Sequence, residues 1–218
     1  MKVLPTNAEE ESLFSLGACT VAGVDEVGRG AWAGPVSVGV VVVTRESIGD
    51  LPPGVADSKL LSPAVRERLF APLSLAVAAY AVGHASAAEC DELGMTKAQG
   101  LATARAFEQL ALEVDAVIVD GKTDFTGRDH VRAIVGADRS CVAVAAASVL
   151  AKVTRDRMMI ELAPRYPGYA FEQNKGYPSP NHRAGLSRLG LSEQHRASWS
   201  FAPAFDATRP GSTEIASR

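Results

Sequence analysis

The fold is decided by residues 21–35, VAGVDEVGRGAWAGP. An apolar run leads into two adjacent acids, Asp25 and Glu26, and then into a glycine-rich segment at residues 28–30. A valine-rich run follows at residues 36–43, so the pattern predicts two strands joined by a tight, hairpin-like connection. Two adjacent acids after an apolar strand would be costly to bury without a partner. This stretch therefore predicts a strand that delivers carboxylates to a functional site.

Downstream of this stretch, strand-like and helix-like segments alternate. Further strands are predicted at residues 76–85, 116–119 and 134–135, and helices at residues 62–73, 96–113, 143–163 and 178–190. The pair Ser62-Pro63 is typical of a capped helix start, and the later helices are rich in alanine, leucine and charged residues. Antiparallel strands first and strand–helix alternation later favour an α/β domain built on a mixed sheet.

Two further acids, Asp120 and Asp138, each follow a short apolar run. Strands that end in acids at one edge of a sheet bring distant carboxylates together, and such a cluster repels itself unless cations occupy it. Hard oxygen ligands without Cys or His favour Mg²⁺ or Mn²⁺ over zinc. Two such ions about 4 Å apart can activate a water and stabilise the leaving oxygen of a phosphodiester. The alternatives are a turn at Asp120, which precedes Gly121, and a helix cap at Asp138.

The adjacency of Asp25 and Glu26 raises a geometric question. Adjacent residues on a regular strand point to opposite faces of the sheet. The two acids can share one metal site only if the strand is distorted there or if a main-chain carbonyl contributes. Because the glycines that follow favour distortion, we predict that the first strand ends or bends at this pair.

The segment Gly28-Arg29-Gly30 suits close approach of its backbone to a ligand. A ribose 2′-hydroxyl both donates and accepts hydrogen bonds, and it is the group that separates RNA from DNA. Backbone N–H and C=O groups are well suited to detect such a hydroxyl. A glycine loop alone is usually only a turn, so it is the position directly after the acid pair that favours a functional role.

Two basic segments offer groups for contacts with phosphate, sugar or base. Their members are Lys152, Arg155 and Arg157 in the first, and Lys175, Tyr177, His182 and Arg183 in the second. The alternative interpretation is a solvated helix face followed by an ordinary surface loop.

The composition is that of an ordinary globular chain, since 47% of the 218 residues are hydrophobic and 22% are charged. The length fits one large domain, or one domain with a small appendage. The net charge of −3 argues neither for nor against nucleic-acid binding, because local charged patches matter more than the total charge.

Three widely spaced cysteines without a CxxC favour a reducing, cytoplasmic setting over a disulfide framework or a zinc site. We expect no secretory signal and no membrane span.

Five segments together resemble the ribonuclease HII family over residues 21–201. They are VAGVDEVGRGAWAGP at 21–35, DSKLLSP at 57–63, VDGK at 119–122, AAASVLAKVTRDR at 145–157 and NKGYPSPNH at 174–182. The first and fourth are highly specific in combination, whereas the short DSK and VDG pieces carry weight through their order. The resemblance implies a ribonuclease H-like α/β fold: a five-stranded mixed sheet flanked by helices, with a helical C-terminal portion. With the catalytic domain placed at 19–207, the composition of the flanking segments predicts a polar N-terminal lead-in at 1–18 and a disordered tail at 208–218.

The resemblance also assigns roles to individual residues. The family's four catalytic acids correspond to Asp25, Glu26, Asp120 and Asp138, and the first three of these are expected to bind the metal. The implied cofactor is Mn²⁺ or Mg²⁺, with two ions present when substrate is bound. The implied substrate-binding residues are Gly28, Arg29, Gly30, Tyr177, Lys59 and Lys152. The glycine loop would sense the 2′-hydroxyl, the tyrosine would pack on the deoxyribose after the ribonucleotide, and the lysines would meet phosphate or support the site.

The implied activity is endonucleolytic hydrolysis of RNA that is paired with or joined to DNA. The partners would be RNA–DNA hybrids and duplex DNA containing ribonucleotides, cut on the 5′ side of the ribonucleotide to leave 3′-hydroxyl and 5′-phosphate ends. The implied role is removal of ribonucleotides from DNA, and a monomer is expected. The sequence departs from the family around Asp138, where Ala137 replaces a frequent glycine and Arg139-Ser140 replaces a small residue followed by a basic one.

Three alternatives remain for comparison. A type III relative typically has an N-terminal substrate-binding domain, for which the acid pair at position 25 leaves no room, and its loop tends to lack the arginine found here at position 29. A transposase or junction resolvase would lack the combination of DEVGRG and AKVTRDR. A nucleic-acid-binding protein with a dead site is disfavoured, because unpaired acids near phosphates would weaken binding.

Overall fold

The computed structural model describes residues 4–205. Within them, five strands form one mixed sheet in the order β3-β2-β1-β4-β5. The strands are β1 (Thr20–Val27), β2 (Val36–Thr44), β3 (Ala79–Ala85), β4 (Ala116–Asp120) and β5 (Val131–Ile134). The first three strands pair antiparallel, whereas β4 pairs parallel to β1 and β5 parallel to β4. The predicted five-stranded mixed sheet is therefore confirmed.

Helices cover both faces of this sheet. Those of the described chain are α1 (Ala8–Ser15), α2 (Pro63–Ala76), α3 (Ala87–Leu93), α4 (Met95–Glu108), α5 (Ala137–Ser140), α6 (Val142–Leu162), α7 (Phe171–Asn174) and α8 (Pro180–Leu189). Helices α2 and α6 cover the face that carries Val21 and Val41, and α4 covers the face that carries Val24. The alanine-rich start of α6 comes so close to β1 that a Cβ on Gly23 would lie 2.3 Å from the backbone of Ala143. Small residues on both elements thus set the spacing between strand and helix.

The helical C-terminal portion, residues 163–205, packs on the loop between β1 and β2. A separate apolar cluster joins Ala33 of that loop to Phe171 and Leu186. Trp32 stacks on Phe201 with ring centroids 4.2 Å apart. The loop that follows the acid pair is therefore held by residues from the far end of the chain.

Some boundaries differ from the sequence-based prediction. Helix α4 ends at Glu108 rather than at 113, β5 occupies Val131–Ile134 rather than 134–135, and β3 begins at Ala79 because α2 continues to Ala76. Helix α3 was not predicted, although Ser86 and Glu89 form the capping box that starts it.

Helix α1 lies inside the segment that was interpreted as a polar lead-in. Its Leu13 and Phe14 are buried, and so is Glu10. The Glu10 carboxylate accepts a hydrogen bond from the backbone N–H of Ala143 at 2.8 Å. An acid at the start of α6 satisfies an orphan amide and interacts favourably with the helix dipole. Three consecutive glutamates concealed this packing role in the sequence.

Two further expectations concern the membrane and the tail. In residues 4–205, no helix is both long and apolar enough to cross a membrane. The tail predicted at 208–218 lies outside the described residues.

Candidate active site

Asp25 and Asp120 lie side by side where the parallel pairing of β1 with β4 ends. The register of β1 and β4 pairs Val24 with Val119, so the next residue of each strand is one of the two acids. The carboxyl ends of such strands are where functional groups of α/β sheets gather. Asp120 is anchored further, since its Oδ1 accepts a hydrogen bond from the N–H of Ala137 at 2.8 Å.

The carboxyl of Asp25 is buried among other charges. Burial raises its pKa to about 8, with contributions from the negative charges of Glu26 and Asp120, while a hydrogen bond from Ser148 of α6 and the charge of Lys59 act in the opposite direction. Burial is therefore the main cause of the raised pKa, and the charges of Glu26 and Asp120 add to it.

Glu26 lies close to Asp25 and Asp120 but on the opposite face of the sheet. Strand β1 stays paired with β2 through Val27, so it does not end at the acid pair, and the alternative prediction of a bend there stays a prediction. Glu26 shares the α4 face with Val24, whereas Asp25 faces α6. Strand β4, however, stops at Asp120 and leaves the flank of β1 open beside Glu26. Burial and the charge of Asp120 raise the pKa of Glu26, so the two carboxylates interact across the sheet edge.

Asp138 joins the cluster from helix α5 rather than from a strand end. The Nζ of Lys59 lies 3.2 Å from Asp138 Oδ2 and 3.8 Å from Asp57 Oδ1. Burial alone would lower the pKa of Lys59, but the neighbouring carboxylates outweigh it and raise that pKa. Asp57 is fully buried, and its Oδ2 lies 3.5 Å from Nε of Arg139. Arg139 is therefore a basic partner at one of the positions where the sequence departs from the family pattern. Asp57 was missed as a site residue, although the Asp-Ser-Lys segment contains it.

The chemistry of this acid cluster fits a hard divalent cation. Within the described residues, no three His, Cys, Asp or Glu side chains form a ready-made metal-binding group. The donors that converge are nevertheless carboxylate oxygens, which Mg²⁺ and Mn²⁺ prefer. The raised pKa of Asp25 reflects burial first and the neighbouring negative charges second, and the positive charge of a bound cation would offset both penalties on the ionised carboxylate.

The segment 28–30 forms a loop directly after β1. Gly28 has a φ of +84°, and its N–H donates to the hydroxyl of Tyr177 at 3.1 Å. A Cβ on Gly28 would lie 2.2 Å from Nε of Arg155, so both the backbone conformation and the packing require glycine. Arg29 and Gly30 are exposed, and a Cβ on Gly30 would meet nothing within 4 Å. The loop therefore has a buried anchor at one end and an open surface at the other.

Three buried residues form hydrogen bonds that hold this loop and its flanking residues in place, and the sequence did not predict this role for them. Gln99, buried on α4, accepts a hydrogen bond from Arg29 Nη1 at 3.1 Å. Arg155 was interpreted as part of a basic stretch for phosphate, but it is fully buried and donates to the carbonyls of Pro35 and Ala33. Arg196 is also fully buried beneath the loop. A single Gln or Arg carries no local sequence signal of burial.

Tyr177 lies beside the loop with cations next to its ring. Lys152 Nζ and Arg155 Cζ each lie 5.4 Å from the ring centroid. Lys152 is mostly buried and pairs with Asp156 at 2.6 Å. The structure thus brings Tyr177 and Lys152 together, while Lys59 lies among the acids. The predicted contacts of both lysines with phosphate stay predictions.

A buried chain of hydrogen bonds supports Tyr177 from behind. His182 Nδ1 lies 3.0 Å from the Tyr177 carbonyl, His182 Nε2 lies 3.0 Å from His195 Nε2, and the N–H of Ser192 donates to His195 Nδ1 at 2.9 Å. These contacts are all satisfied when His182 donates through Nδ1 and His195 through Nε2, with both rings neutral. Burial lowers the pKa of each ring, that of His195 to about 4.

We expect this histidine pair to make the free energy of unfolding depend on pH. Between pH 6.5 and about 4 the unfolded chain binds a proton that folded His195 excludes, so its contribution is complete above pH 6.5 and is lost as the pH falls. The loss is on the order of 2–3 kcal/mol. Urea unfolding across this range measures it, and His195→Gln should flatten the curve relative to the unchanged protein. If the free energy of unfolding fell equally with pH in the two proteins, His195 would not be the group responsible.

Solved structures with the same fold identify the class of enzyme. The ribonuclease H2 from Pyrococcus horikoshii OT3 matches with a TM-score of 0.75 and 32% identity, covering 86% of this chain and 97% of that one. Bst-RNase HIII in complex with Mn²⁺ shares the fold, with a TM-score of 0.71 and 21% identity over 87% of this chain and 70% of its own. With the acid cluster at the sheet edge, this likeness defines a ribonuclease H, a hydrolase that cuts within the chain of a nucleic acid.

Sequence comparison narrows the class to one family. The family model for ribonuclease HII matches residues 22–202. The ribonuclease HII of Streptomyces avermitilis is 49% identical over 207 residues, which are 94% of this chain and 88% of that protein. The chain therefore belongs to the ribonuclease HII family, and the resemblance seen in its five segments is confirmed.

Proposed function

We propose that this ribonuclease cuts the RNA strand of RNA–DNA hybrids and the bond on the 5′ side of ribonucleotides embedded in duplex DNA. The products would carry 3′-hydroxyl and 5′-phosphate ends, and the role would be removal of ribonucleotides from DNA. One observation carries the proposal: a single segment, residues 25–30, supplies both the acid pair, of which Asp25 is buried and Glu26 half-buried, and a glycine loop whose Arg29 and Gly30 are exposed. Groups for cleavage and groups for ribose recognition are therefore adjacent along one strand and its loop.

The acids take the role of metal ligands in this proposal. Asp25, Glu26 and Asp120 would hold Mn²⁺ or Mg²⁺, two ions with substrate bound, and Asp138 would complete the site. Such ions, when bound, activate a water and stabilise charge on the leaving oxygen. The protein's own contribution is to hold the carboxylates in place: Asp25 by burial, and Asp120 by its bond to the backbone.

Substrate recognition is assigned to the other side of the site. The backbone of the loop Gly28-Arg29-Gly30 would test for the 2′-hydroxyl, because only ribose offers that group. The ring of Tyr177 would pack on the deoxyribose that follows the ribonucleotide. Lys59 and Lys152 would lie close to the phosphates that flank the scissile bond.

The deciding experiment uses a labelled DNA duplex with one embedded ribonucleotide. We expect a nick on the 5′ side of the ribonucleotide with Mn²⁺ or Mg²⁺ and none with a chelator. The same duplex with deoxyribose at that position should stay intact. Metal-dependent binding without a nick would instead favour a nucleic-acid-binding protein with a dead site.

Replacing Tyr177 by alanine is expected to lower kcat/KM at a single embedded ribonucleotide about 10- to 100-fold, because stacking on one nucleotide contributes roughly 1–3 kcal/mol. Tyr177→Phe should retain most of that contribution, since it keeps the ring and removes only the hydroxyl that accepts from the Gly28 N–H. Initial rates on the embedded ribonucleotide and on a uniform RNA–DNA hybrid test the idea. Unchanged kinetics of Tyr177→Ala on the first substrate would count against stacking.

A further inference from the structure

Arg196 is a fully buried cation that binds the glycine loop through backbone carbonyls. Its Nη1 donates to the carbonyl of Arg29 at 2.9 Å, and its Nη2 donates to the carbonyls of Gly28 at 2.7 Å and Gly34 at 3.2 Å. Among the described residues Arg196 forms no salt bridge. Burial lowers its pKa to about 10, so the guanidinium is still charged at neutral pH. Burying a cation without a carboxylate is costly, which indicates a specific task.

The contacts of Arg196 fix the direction of two peptide groups. Residues 4–205 contain no cis peptide bond, and in a trans peptide the C=O and the N–H point in opposite directions. The carbonyl of Gly28 belongs to the same peptide as the N–H of Arg29, and the carbonyl of Arg29 to the same peptide as the N–H of Gly30. Because both carbonyls point inward to Arg196, both N–H groups point away from it. They lie on the exposed residues of the loop.

These two N–H groups have no acceptor among the described residues, whereas the N–H of Gly28 is already bonded to the Tyr177 hydroxyl. Two adjacent free amides form a donor pair that suits an oxygen of the substrate, either a ribose hydroxyl or a phosphodiester oxygen. If either peptide flipped, one of the two donors would be replaced by a carbonyl oxygen, which would repel a phosphodiester oxygen and could no longer donate to a ribose hydroxyl. The guanidinium disfavours the flip because its bonds to the loop carbonyls would be lost.

We propose that Arg196 is a positioning residue that sets the loop in its donor-outward form, so that the C-terminal portion of the fold takes part in selecting ribonucleotides. The inference rests on the proposed function and adds a residue to it. Arg196 does not touch the substrate; it acts through the peptides of residues 28–30. Removing it should therefore weaken the preference for ribose rather than the chemistry at the acids.

The test compares binding of two duplexes that differ in one 2′-hydroxyl. Dissociation constants are measured with Mn²⁺ in an Asp120→Asn background, so that neither duplex is cut. We expect Arg196→Met to reduce the preference for the ribonucleotide duplex about tenfold or more, with weaker binding of that duplex and little change for the all-DNA duplex. Arg196→Lys, which keeps the charge but not the forked pair of donors, should recover only part of the preference.

Asp91→Ala serves as the matched control. Its carboxylate accepts hydrogen bonds from the N–H groups of Ala197 and Ser198, so the variant loosens the segment that carries Arg196 without removing the guanidinium. It should lower the melting temperature and keep the ribose preference. Should Arg196→Met fail to fold by circular dichroism, Arg196→Lys decides the question.

A full ribose preference in a folded Arg196 variant would overturn the inference. An equal loss of preference in Asp91→Ala would overturn it as well, because general loosening would then be sufficient. Failure of the proposed function looks different. The Asp120→Asn protein with Arg196 intact would then show no preference for the ribonucleotide duplex, and the unchanged protein would not cut that duplex.

Discussion

Replacing Asp120 by asparagine is expected to reduce cleavage at least about 10³-fold and to leave the fold intact. The substitution removes a carboxylate that we propose binds the metal, together with one negative charge beside Asp25. The amide keeps an oxygen that can accept from the N–H of Ala137, where Oδ1 now accepts at 2.8 Å. Repulsion among the acids is relieved, so the melting temperature should be unchanged or higher. Single-turnover cleavage at saturating Mn²⁺, with melting curves for both proteins, measures the two effects.

A matched control lies at the other end of the same strand. Asp115 precedes β4, and its Oδ2 accepts from the backbone N–H groups of Cys19 and Thr20 at 2.7 and 2.9 Å. Asp115→Asn should weaken these bonds and lower stability, yet retain cleavage, because the residue lies away from the acid cluster. Wild-type turnover by Asp120→Asn, or equal losses of activity in the two variants, would remove Asp120 from the metal site.

An added methyl group is expected to lower mainly stability at one end of the glycine loop and mainly activity at the other. Gly28→Ala should destabilise the protein by about 2–5 kcal/mol, because alanine is strained at a φ of +84° and its Cβ would meet Arg155 at 2.2 Å. Gly30→Ala should change stability by less than about 0.5 kcal/mol, because its Cβ would meet nothing within 4 Å. The same methyl at residue 30 lies on the open side of the loop, where it would displace the substrate, so kcat/KM on an embedded ribonucleotide should fall about 10²-fold.

Urea unfolding and initial rates on the embedded ribonucleotide separate these outcomes. A stable, fully active Gly30→Ala protein would show that the open face of the loop does not contact substrate. A Gly28→Ala protein as stable as the original would show that the contact with Arg155 yields easily, and the anchoring role of residue 28 would then be rejected.

The sequence predicts the existence of the strands because they are short apolar runs, whereas it places the ends of β1, β3 and β5 less accurately. The valine-rich runs around residues 21–43 and the run before Asp120 are of this kind. The start of α2 was also readable, because Ser62 caps the helix and Pro63 opens it. The convergence of Asp25 and Asp120 follows from the parallel pairing of β1 and β4, which the alternation of strands and helices indicates in advance.

What the sequence could not show depends on contacts between distant segments. Glu10 reads as one of three surface acids, yet it is buried at the start of α6. Asp57 and Arg196 have ordinary neighbours in sequence, and their burial is decided by packing. The prediction that β1 ends at its acid pair failed because it considered the strand alone. The neighbouring strand β4 is the one that stops, and this lets Glu26 interact with Asp120 while β1 stays paired with β2.

The dependence of the glycine loop on Arg196 also has a consequence for the order of events during synthesis. The chain emerges N-terminus first, at about 5–20 residues per second. The acids from Asp25 to Asp138 are therefore all synthesised a few seconds before Arg196, which the loop needs to hold two of its carbonyls inward. A nascent chain would thus contain its four acids before the arginine that, in our proposal, positions the loop for ribose recognition. If Arg196 has the role proposed above, the preference for ribose is completed later in synthesis than the acid cluster.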